Sequence, residues 1–349
     1  EKAARAGILV KDRLALESMR TVDVVLFDKT GTLTQGRPSV TAVDPAAGVS
    51  ADQVLAWAAA AEAGSEHPLA AAIVTAASEA GVSVPAATGF ASSPAVGVSA
   101  TVEGQVVRVG GPRLLEERGA SPREVAAQWS DEGAIILHVL RGDAVVGALR
   151  LADAVRPESR EAIAALHRLG VEVGMVTGDA EAVAQAVAAD LGIDHVIAGV
   201  RPGDKAGRVA ALQGQGRRVA MVGDGVNDAP ALAQADVGLA IGAGTEVAIS
   251  SAGVILASDD PRAVLSVIRL SQSSYRIMRQ NLWWAAGYNL VTVPLAAGVL
   301  APIGVVMPMS VGALLMSAST IVVALNAQRL RRLTLDPGSV AASILTGDR

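Results

Sequence analysis

Residues 280–328 contain no Asp, Glu, Lys, Arg or His. A single helix of that length would measure about 70 Å, more than twice the ~30 Å hydrocarbon core of a bilayer. Two helices joined by a short turn fit better, and Ala301-Pro302-Ile303-Gly304 supplies a turn signal. The run therefore predicts two membrane-spanning helices, at about 281–300 and 306–327.

Arginines flank this uncharged run at both ends. Arg276 and Arg279 precede it, and Arg329, Arg331 and Arg332 follow it. A hairpin whose two ends lie in the cytoplasm carries positive charge there. The alternative is a buried helical hairpin of a large soluble protein, but such a hairpin normally keeps a polar face. The composition favours a hairpin surrounded by a lipid bilayer.

The remaining composition excludes several classes of protein. The chain has 349 residues, which corresponds to roughly two domains. Its formal net charge of −5 gives no electrostatic reason to expect a nucleic-acid partner. Cys is absent, so disulfides and thiolate metal ligands are excluded. Residues 1–20 lack the apolar core of a signal peptide.

Strands and helices alternate on both sides of a region with a different texture. After residue 149, strand patterns at 171–176 and 218–222 enclose a helical run at 180–191. Such alternation predicts a parallel sheet with crossover connections. Between 38 and 148, Ala-rich helical stretches and short strand patterns predict a second domain, inserted after the first strand of the α/β domain.

Polar residues follow three of the predicted strands. The stretch VVLFDKTGTLT leads from a buried strand into Asp28, and the later strands lead into Thr177 and into Asp224 and Asp228. In a parallel sheet these strand ends lie on one edge, where open α/β sheets bind ligands. Each residue alone could be a turn residue or a helix cap. Together they suit phosphoryl transfer.

Each of these residue types offers a role in that chemistry. Asp28 is a carboxylate nucleophile able to form an aspartyl phosphate, and Asp224 is the kind of oxygen ligand that Mg²⁺ prefers. Thr177 and Asn227 can donate hydrogen bonds to phosphoryl oxygens, and Lys205 adds a positive charge. Catalysis of this reaction consists mostly of positioning and charge stabilisation.

The same residues resemble those of P-type ATPases, within the haloacid-dehalogenase-like superfamily. The motif DKTGTLT at 28–34 is similar to their phosphorylation motif, and the motifs at 177–179, Lys205 and 223–230 follow in the expected order. The resemblance implies that Asp28 accepts the γ-phosphate of ATP. It also implies that Asp28, the backbone carbonyl of Thr30 and Asp224 hold Mg²⁺. The catalytic residues that it implies are Asp28, Lys29, Thr30, Thr177, Gly178, Asp179, Lys205, Asn227 and Asp228.

Thr30 stands where phosphatases of the superfamily usually carry a second Asp. Without that acid–base group, hydrolysis of the aspartyl phosphate would wait for another element, which suits a transport cycle.

The inserted region resembles the nucleotide-binding domain of heavy-metal-transporting P-type ATPases. There Glu62 and His67, in Ser65-Glu66-His67-Pro68-Leu69, would contact and order the adenine of ATP. A lone His-Pro is otherwise an ordinary helix start. The family's glycine-rich loop is only partly present: Gly97 and Gly110 are implied nucleotide contacts. Ala95 replaces a glycine of the usual Gly-x-Gly pattern, and Gly111 replaces a common Asn.

The uncharged run is similar to that of the copper-exporting branch. Tyr288 and Asn289 in the first helix, and Met316 and Ser317 in the second, are implied ligands along the path of the transported metal. A thioether suits Cu(I), whereas hydroxyl and amide oxygens accept harder ions. Polar groups inside a membrane span are functional candidates. The alternative is that small and hydroxyl residues make a close helix–helix interface.

The resemblance covers nearly the whole chain and gives its fold class. We expect an α/β, haloacid-dehalogenase-like phosphorylation domain with a parallel sheet, an inserted α+β nucleotide-binding domain, and a transmembrane helical hairpin. The expected segments are a stalk at 1–19, phosphorylation domain at 20–37 and 149–265, nucleotide-binding domain at 38–148, stalk helix at 266–280, two membrane helices at 281–328 and a cytoplasmic tail at 329–349.

The resemblance implies the C-terminal half of an ATP-driven heavy-metal exporter, with copper as the favoured metal, in the cell membrane, multi-pass, with its catalytic domains cytoplasmic. Its expected cofactors and partners are Mg²⁺, ATP, the transported metal and the N-terminal half of the pump. One alternative is a membrane-anchored phosphatase acting on a small phosphate ester. Another is a non-catalytic partner that completes a split pump.

Overall fold

A computed structural model describes residues 2–131, 134–224, 226–242, 246–303 and 307–347. In the described ranges the strands form two sheets. The seven-stranded sheet has the order β1 (Ile8–Val10), β13 (Val254–Leu256), β12 (Val237–Ile241), β11 (Val219–Gly223), β2 (Val24–Asp28), β9 (Glu172–Val176) and β10 (His195–Ile197). The six-stranded sheet has the order β3 (Thr34–Pro45), β8 (Ala144–Val155), β7 (Ile135–Arg141), β6 (Gln105–Gly110), β5 (Gly97–Val102) and β4 (Ala87–Ser93).

The helices connect and cover these strands. They are α1 (Lys2–Arg5), α2 (Arg13–Ser18), α3 (Ala51–Glu62), α4 (Pro68–Glu79), α5 (Pro112–Arg118), α6 (Glu124–Asp131), α7 (Pro157–Arg168), α8 (Glu181–Leu191), α9 (Lys205–Gly214), α10 (Ala229–Gln234), α11 (Glu246–Ser251), α12 (Ala263–Ala296), α13 (Met309–Gln328) and α14 (Pro337–Thr346). The α/β class predicted from the alternating pattern is confirmed.

Contacts divide the chain into two compact units. The first unit comprises Glu1–Leu26, Glu161–Val173 and Gly203–Arg349, and the second comprises Phe27–Arg160 and Gly174–Pro202. The six-stranded sheet begins at Thr34 and ends at Val155, whereas the inserted nucleotide-binding domain was expected at 38–148. The bounds of that domain stay a prediction.

Three strands of the seven-stranded sheet begin side by side. Within the first unit, the backbone N–H of Asp23 donates to the carbonyl of Arg218 at 2.9 Å. The N–H of Glu172 donates in turn to the carbonyl of Asp23 at 2.9 Å. Asp23 precedes β2, Arg218 precedes β11 and Glu172 begins β9, so the three strands run in the same direction from one edge. The parallel arrangement predicted for them is confirmed.

Residues 8–10, which we expected in a stalk segment, form the edge strand β1 instead. Ile8 pairs with Leu256 and Val10 with Val254 in the antiparallel sense. Ile8 is buried, and the β-branched residues Ile8 and Val10 favour a strand at the sheet edge. Asp12 then caps α2 by accepting a hydrogen bond from the N–H of Leu14 at 2.8 Å.

The expected stalk helix and first membrane helix are one continuous helix, α12. It contains Pro294 and ends at Ala296, four residues before the expected end at residue 300. Gly298 follows with a φ of 77°, a conformation that glycine adopts without steric cost. A short 3₁₀ turn at Ala301–Ile303 occupies the predicted turn, while Gly304 lies outside the described residues.

The second predicted membrane helix corresponds to α13, with residue 306 outside the described residues. Within those residues, one helical segment, Met309–Arg332, is long and apolar enough to cross a membrane, with a mean hydropathy of 1.7. None of the apolar part of this segment is buried within the protein. The first predicted span does not meet the same criterion, since asparagine, tyrosine and tryptophan dilute its apolar residues. It stays a prediction.

The segment 329–349, expected as a cytoplasmic tail, folds back onto the first unit as far as it is described. Asp336 caps α14 by accepting from the N–H of Ser339 at 2.9 Å. Val340 and Ala341 on this helix are fully buried. Arg269 of α12 donates to Ser343 Oγ at 3.0 Å, so α14 is fixed against α12.

In the second unit, α3 and α4 pack on the six-stranded sheet. Ser50 and Gln53 form a reciprocal capping box that starts α3. Val54, Ala58 and Ile73 are fully buried in the resulting core. The Ala-rich helices and the short strands expected between 38 and 148 are thereby confirmed.

Two glycines of this sheet are required by close backbone approach. Gly97 pairs with Gly110 across β5 and β6. A Cβ at Gly97 would lie 2.1 Å from the carbonyl oxygen of Val109, and Gly97 has a φ of 143°. A Cβ at Gly110 would lie 2.1 Å from the carbonyl oxygen of Val96. The backbone therefore needs glycine at both positions, whatever else they do.

We predict that Gly97→Ala lowers the free energy of opening of the β5–β6 pair by about 2–4 kcal/mol, because it adds both a backbone clash and left-handed strain. Amide hydrogen exchange of peptides from β5 and β6 measures this change. Gly111→Ala is the matched control, since nothing lies within 4 Å of its Cβ position. Equal protection in both variants would show that the close approach is not maintained in solution.

Candidate functional site

Asp28 ends a strand that is buried along its whole length. The side chain of Asp28 is 7% exposed, and the chain turns sharply after it. Gly31 in this turn has a φ of 76°, which only glycine adopts readily. A carboxylate at a buried strand end has few alternative positions, as a nucleophile requires.

The turn after Asp28 is held by residues that follow β8. The hydroxyl of Ser159 donates to the carbonyl of Leu33 at 2.8 Å, and Arg156 Nε donates to the carbonyl of Thr34 at 3.0 Å. Thr34 Oγ1 also hydrogen-bonds with the carbonyl of Lys29 at 3.0 Å and with the carboxylate of Asp153. The sequence analysis missed Asp153, Arg156 and Ser159. Asp153 lies near the end of β8, and Arg156 and Ser159 follow that strand; polar residues at the end of an apolar strand were the available signal.

Lys29 and Asp179, both predicted as catalytic, form a close ion pair in the second unit. Lys29 is buried. The hydroxyl of Thr177 accepts from the N–H of Asp179 at 3.1 Å, which leaves its own hydrogen available to a ligand. Gly178 lies in the turn between them, and a Cβ there would lie 3.4 Å from the carbonyl of Val200.

The predicted residues of the first unit form a second charged group. Lys205 Nζ lies 2.6 Å from Asp228 Oδ1, and both side chains are buried. Oxygens of Asp224 and Asp228 lie within 4.8 Å of each other. Gly223 permits the close approach of Asp228, since a Cβ there would lie 2.5 Å from Asp228 Oδ2. Asn227 is exposed beside them, and Gly225 lies outside the described residues.

Glu62 and His67 lie at neighbouring helix ends in the second unit. Glu62 ends α3 and is buried, and this burial raises the pKa of its carboxyl from 4.5 to about 7 against an opposing hydrogen bond from Ser65. His67 caps α4, where its Nδ1 accepts from the N–H of Leu69 at 3.2 Å. Nδ1 is therefore occupied, and Nε2 is the ring nitrogen available to a ligand.

Phe90 is a neighbouring residue that the sequence analysis missed. Its ring is 41% exposed on β4 and packs over Gly64, where a Cβ would lie 3.0 Å from the ring. An exposed aromatic ring over Gly64, two residues after Glu62 in the chain, offers a stacking surface. Ala95 adopts a φ of 63°, which is unfavourable for alanine and explains why glycine suits this position.

The proposed metal-path residues lie on α12 and α13, which pack against each other. Trp284 Nε1 donates to Ser319 Oγ at 3.2 Å. Tyr288 lies one turn after Trp284, and Met316 lies three residues before Ser319, so this antiparallel register sets Tyr288 and Met316 at a similar depth. Ser317 Oγ donates to the carbonyl of Ala313 at 3.0 Å, within its own helix.

Comparison with known proteins agrees with this architecture. A family model described as haloacid dehalogenase-like hydrolase matches residues 22–236. Copper-exporting P-type ATPase B of Archaeoglobus fulgidus is 46% identical over 329 residues, which is 94% of this chain and 47% of that protein. Probable copper-exporting P-type ATPase V of Mycobacterium tuberculosis is 45% identical over 96% of this chain and 43% of that protein.

Two solved structures add to this likeness. A zinc-transporting PIB-type ATPase in its E2.Pi state matches with a TM-score of 0.84 and 36% identity, over 94% of this chain and 53% of that chain. The catalytic domain of the CPx-ATPase CopB-B matches with a TM-score of 0.59 and 30% identity, over 76% of this chain and 97% of that domain. The chain belongs to the heavy-metal P-type ATPase branch of the haloacid dehalogenase-like hydrolases.

This family assignment confirms the resemblance found from the motifs. The chain spans about half the length of the curated relatives that it matches, 47% and 43% for the two named above.

Burial of Glu62 predicts a pH-dependent stability of the second unit. Below pH 4.5 the carboxyl is neutral in both the folded and the unfolded chain. As the pH rises towards 7, the unfolded chain loses this proton first, so the free energy of unfolding falls by at most about 3 kcal/mol. We expect Glu62→Gln to remove this decrease in urea denaturation between pH 4.5 and about 8. Exposed Glu66→Gln is the control, and an unchanged slope in Glu62→Gln would contradict the assignment.

Proposed function

We propose that this chain carries the ATP-binding and phosphorylation machinery of a P-type ATPase that exports a heavy metal, copper in the first instance, through a phosphoenzyme at Asp28. The observation that carries the proposal is the carboxylate of Asp28, fixed at the end of a fully buried strand and followed by a turn anchored to the residues after β8.

The order of the strands supports a common site. In the seven-stranded sheet β2 lies between β11 and β9, and these three strands begin at the same edge. The residues that follow them, Asp28, Asp224 and Thr177, accordingly belong to the opposite edge. Ligands of open α/β sheets bind outside the carboxyl ends of the strands. We infer that these groups act on one phosphoryl group.

The proposed step transfers the γ-phosphoryl group of ATP to protein. A carboxylate oxygen of Asp28 attacks the γ-phosphorus, the bond from that phosphorus to the β,γ-bridging oxygen breaks, and ADP leaves with the electron pair. Lys29 and Lys205 supply positive charge for the phosphoryl oxygens, and the hydroxyl of Thr177 supplies a hydrogen bond. Such fixed donors lower the barrier because they need no reorganisation during the reaction.

The donor set fits the magnesium ion that this family implies. Carboxylate oxygens are the ligands that Mg²⁺ prefers. Asp224 is half-buried, with an oxygen within 4.8 Å of one from Asp228. We propose that Asp28, the carbonyl of Thr30 and Asp224 hold the ion, while Asp228 remains paired with Lys205. Mg²⁺ would neutralise negative charge on the transferring phosphoryl group.

We propose that the six-stranded sheet of the second unit, with α3 and α4, binds the nucleotide. Nε2 of His67 and the carboxyl of Glu62 are polar groups available to the adenine, and Phe90 offers an aromatic ring over Gly64, which lies between them in the chain. Gly97 and Gly110, which let the β5 and β6 backbones approach closely, are proposed to contact the nucleotide through their backbone atoms. The likeness to a CPx-ATPase catalytic domain supports this assignment.

The exposed apolar surface of the hairpin supports its insertion in a membrane. Large apolar side chains of α13 face outward, including Leu314, Met316 and Ile321 at 72%, 64% and 58% exposure. Water would penalise such a surface, whereas lipid or further membrane helices would cover it. We propose a multi-pass topology with the catalytic units in the cytoplasm. The rest of the relatives' length would supply the remaining metal path and the dephosphorylating loop.

The transported ion is proposed to contact Tyr288, Asn289, Met316 and Ser317. Their similar depth on α12 and α13 and the thioether of Met316 support a soft ion such as Cu(I). The names of the curated relatives support copper as well, whereas a solved relative transports zinc.

Phosphorylation of the chain tests the nucleophile directly. With Mg²⁺ and ATP labelled in its γ-phosphate, in the presence and absence of Cu(I), we expect acid-stable, hydroxylamine-labile label on the chain. Asp28→Asn should reduce the label to background, because the amide is not a comparable nucleophile. Asp52→Asn, on the first turn of α3, is the control for loss of one carboxylate. Persistent label in Asp28→Asn would place the phosphoryl group elsewhere.

A substitution at His67 in the second unit distinguishes the proposed ATPase from a membrane-anchored phosphatase. We expect His67→Gln to lower ATP-dependent phosphorylation of Asp28 by about tenfold, the loss of one or two hydrogen bonds to the base. Hydrolysis of p-nitrophenyl phosphate, which has no adenine, should remain unchanged. Equal loss with both substrates would favour a general structural role, and robust ester hydrolysis without ATP use would favour the phosphatase.

A further inference from the structure

A groove of about 820 Å³ lies in the first unit, beside the start of the uncharged part of α12. Its walls include Arg20, Tyr275, Arg276, Arg279, Trp283 and Trp284. Arg20 comes from the short 3₁₀ turn Met19–Thr21, and the other residues come from successive turns of α12. The groove therefore has two walls that are remote in sequence.

The two walls are fixed to each other. Met19, next to Arg20, is 1% exposed, and Ser271 Oγ donates to the carbonyl of Glu17 at 3.4 Å. The guanidinium of Arg20 stacks over the ring of Tyr275 at 3.7 Å from its centroid. Arg279 approaches the same ring at 5.8 Å. Cation–π contacts of this kind orient a guanidinium without neutralising it.

The arginines of the groove retain their charge for a ligand. In the described part of the chain, no carboxylate forms an ion pair with Arg20, Arg276 or Arg279, and no acidic side chain lines the groove. Arg276 and Arg279 are three residues apart and so lie on one face of the helix. Three guanidinium groups around one cavity make a site for an anion with several oxygens, such as a phosphate.

The position along α12 indicates where that phosphate comes from. Trp283 and Trp284 are 72% and 48% exposed, and Trp283 follows Arg279 by one helical turn. Exposed tryptophans at the end of an apolar segment are typical of the headgroup level of a membrane. A lipid headgroup would reach the arginines while its acyl chains lie against the apolar surface beyond the tryptophans.

We propose that this groove binds the phosphate headgroup of an anionic phospholipid from the cytoplasmic leaflet. The inference rests on the proposed membrane insertion of α12 and α13. Basic pockets next to membrane helices on the cytoplasmic side bind such headgroups. A bound headgroup would tie the turn that carries Arg20 to α12, and so make the first unit sensitive to the lipid around it.

Native mass spectrometry of the detergent-solubilised chain tests this proposal, because a micelle removes the surface potential of a bilayer. The probes are phosphatidylglycerol and phosphatidylcholine, each titrated separately. We expect phosphatidylglycerol to remain bound in preference to phosphatidylcholine. The triple variant Arg20→Gln, Arg276→Gln, Arg279→Gln should lower its association by about tenfold or more, the effect expected for charges that contact the headgroup.

The matched control removes the same number of charges outside the groove. The triple variant Arg329→Gln, Arg331→Gln, Arg332→Gln lies at the end of the hairpin, and we expect it to change lipid association by less than about twofold. A triple Arg→Lys variant at Arg20, Arg276 and Arg279 keeps the charge and should retain most of the binding. It thereby separates loss of the site from a failure to fold.

Several outcomes would overturn the proposal. Equal losses in the two glutamine triples would show general electrostatic attraction rather than a site. Displacement of phosphatidylglycerol by inorganic phosphate at similar concentrations would show a free-anion site, and equal retention of both lipids would remove the anionic preference. The underlying membrane proposal fails separately, if the purified chain stays in solution without detergent and does not float with phosphatidylcholine vesicles.

Discussion

Buried charge is the constraint on which the rest of this structure depends. Asp28, Lys29, Lys205 and Asp228 are all 7% exposed or less. An unpaired charge at such depth is costly, and loss of one partner from a buried pair typically destabilises a protein by about 3–5 kcal/mol. The chain offsets this cost with the pairs Lys29–Asp179 and Lys205–Asp228. Because these pairs are set before any ligand arrives, a transferring phosphoryl group would meet fixed charges instead of flexible ones. Rigid burial of this kind contributes little to stability but favours the positioning that phosphoryl transfer requires.

At several positions within the functional motifs, glycine is required because other atoms approach its Cα closely. Gly97 and Gly110 face each other across two strands, and Gly223 makes room for the carboxylate of Asp228. A glycine in a functional motif can thus contribute without contacting the ligand, because it lets two strands, or the backbone and a carboxylate, approach each other closely. Ala95 shows the opposite case. It adopts a left-handed conformation that favours glycine, so this chain accepts local strain beside the loop that we assign to the nucleotide.

The sequence was sufficient for those parts of the fold and site that depend on short stretches. The buried strand before Asp28, the turns after β9 and β11, and the start of α4 at His67 are local patterns, and the structure has them where they were expected. The sequence was not sufficient where contacts between segments far apart in the chain determine the local structure. Ser159 and Arg156 anchor the turn after Asp28 from more than a hundred residues away. Residues 8–10 become a strand because β13 offers a free edge, and the last helix is fixed by contacts with α12. No short window contains both partners of such contacts.

The long helix α12 connects the packed first unit to the apolar hairpin. From Ala263 to Leu270 its apolar residues are buried in the first unit, whereas beyond Leu282 its large apolar side chains are exposed. One uninterrupted helix of 34 residues, about 50 Å long, therefore joins the packed unit to the apolar hairpin. A continuous helix transmits a displacement at one end to the other, because its hydrogen bonds resist bending in the absence of a kink. Pro294 lies inside α12, in its last turn, and Gly298 follows the helix near the turn of the hairpin, so both come after Tyr288 and Asn289. Arg276 and Arg279 lie between the buried and the exposed parts of this helix, so the lipid site proposed above stands where the packed unit gives way to the apolar hairpin.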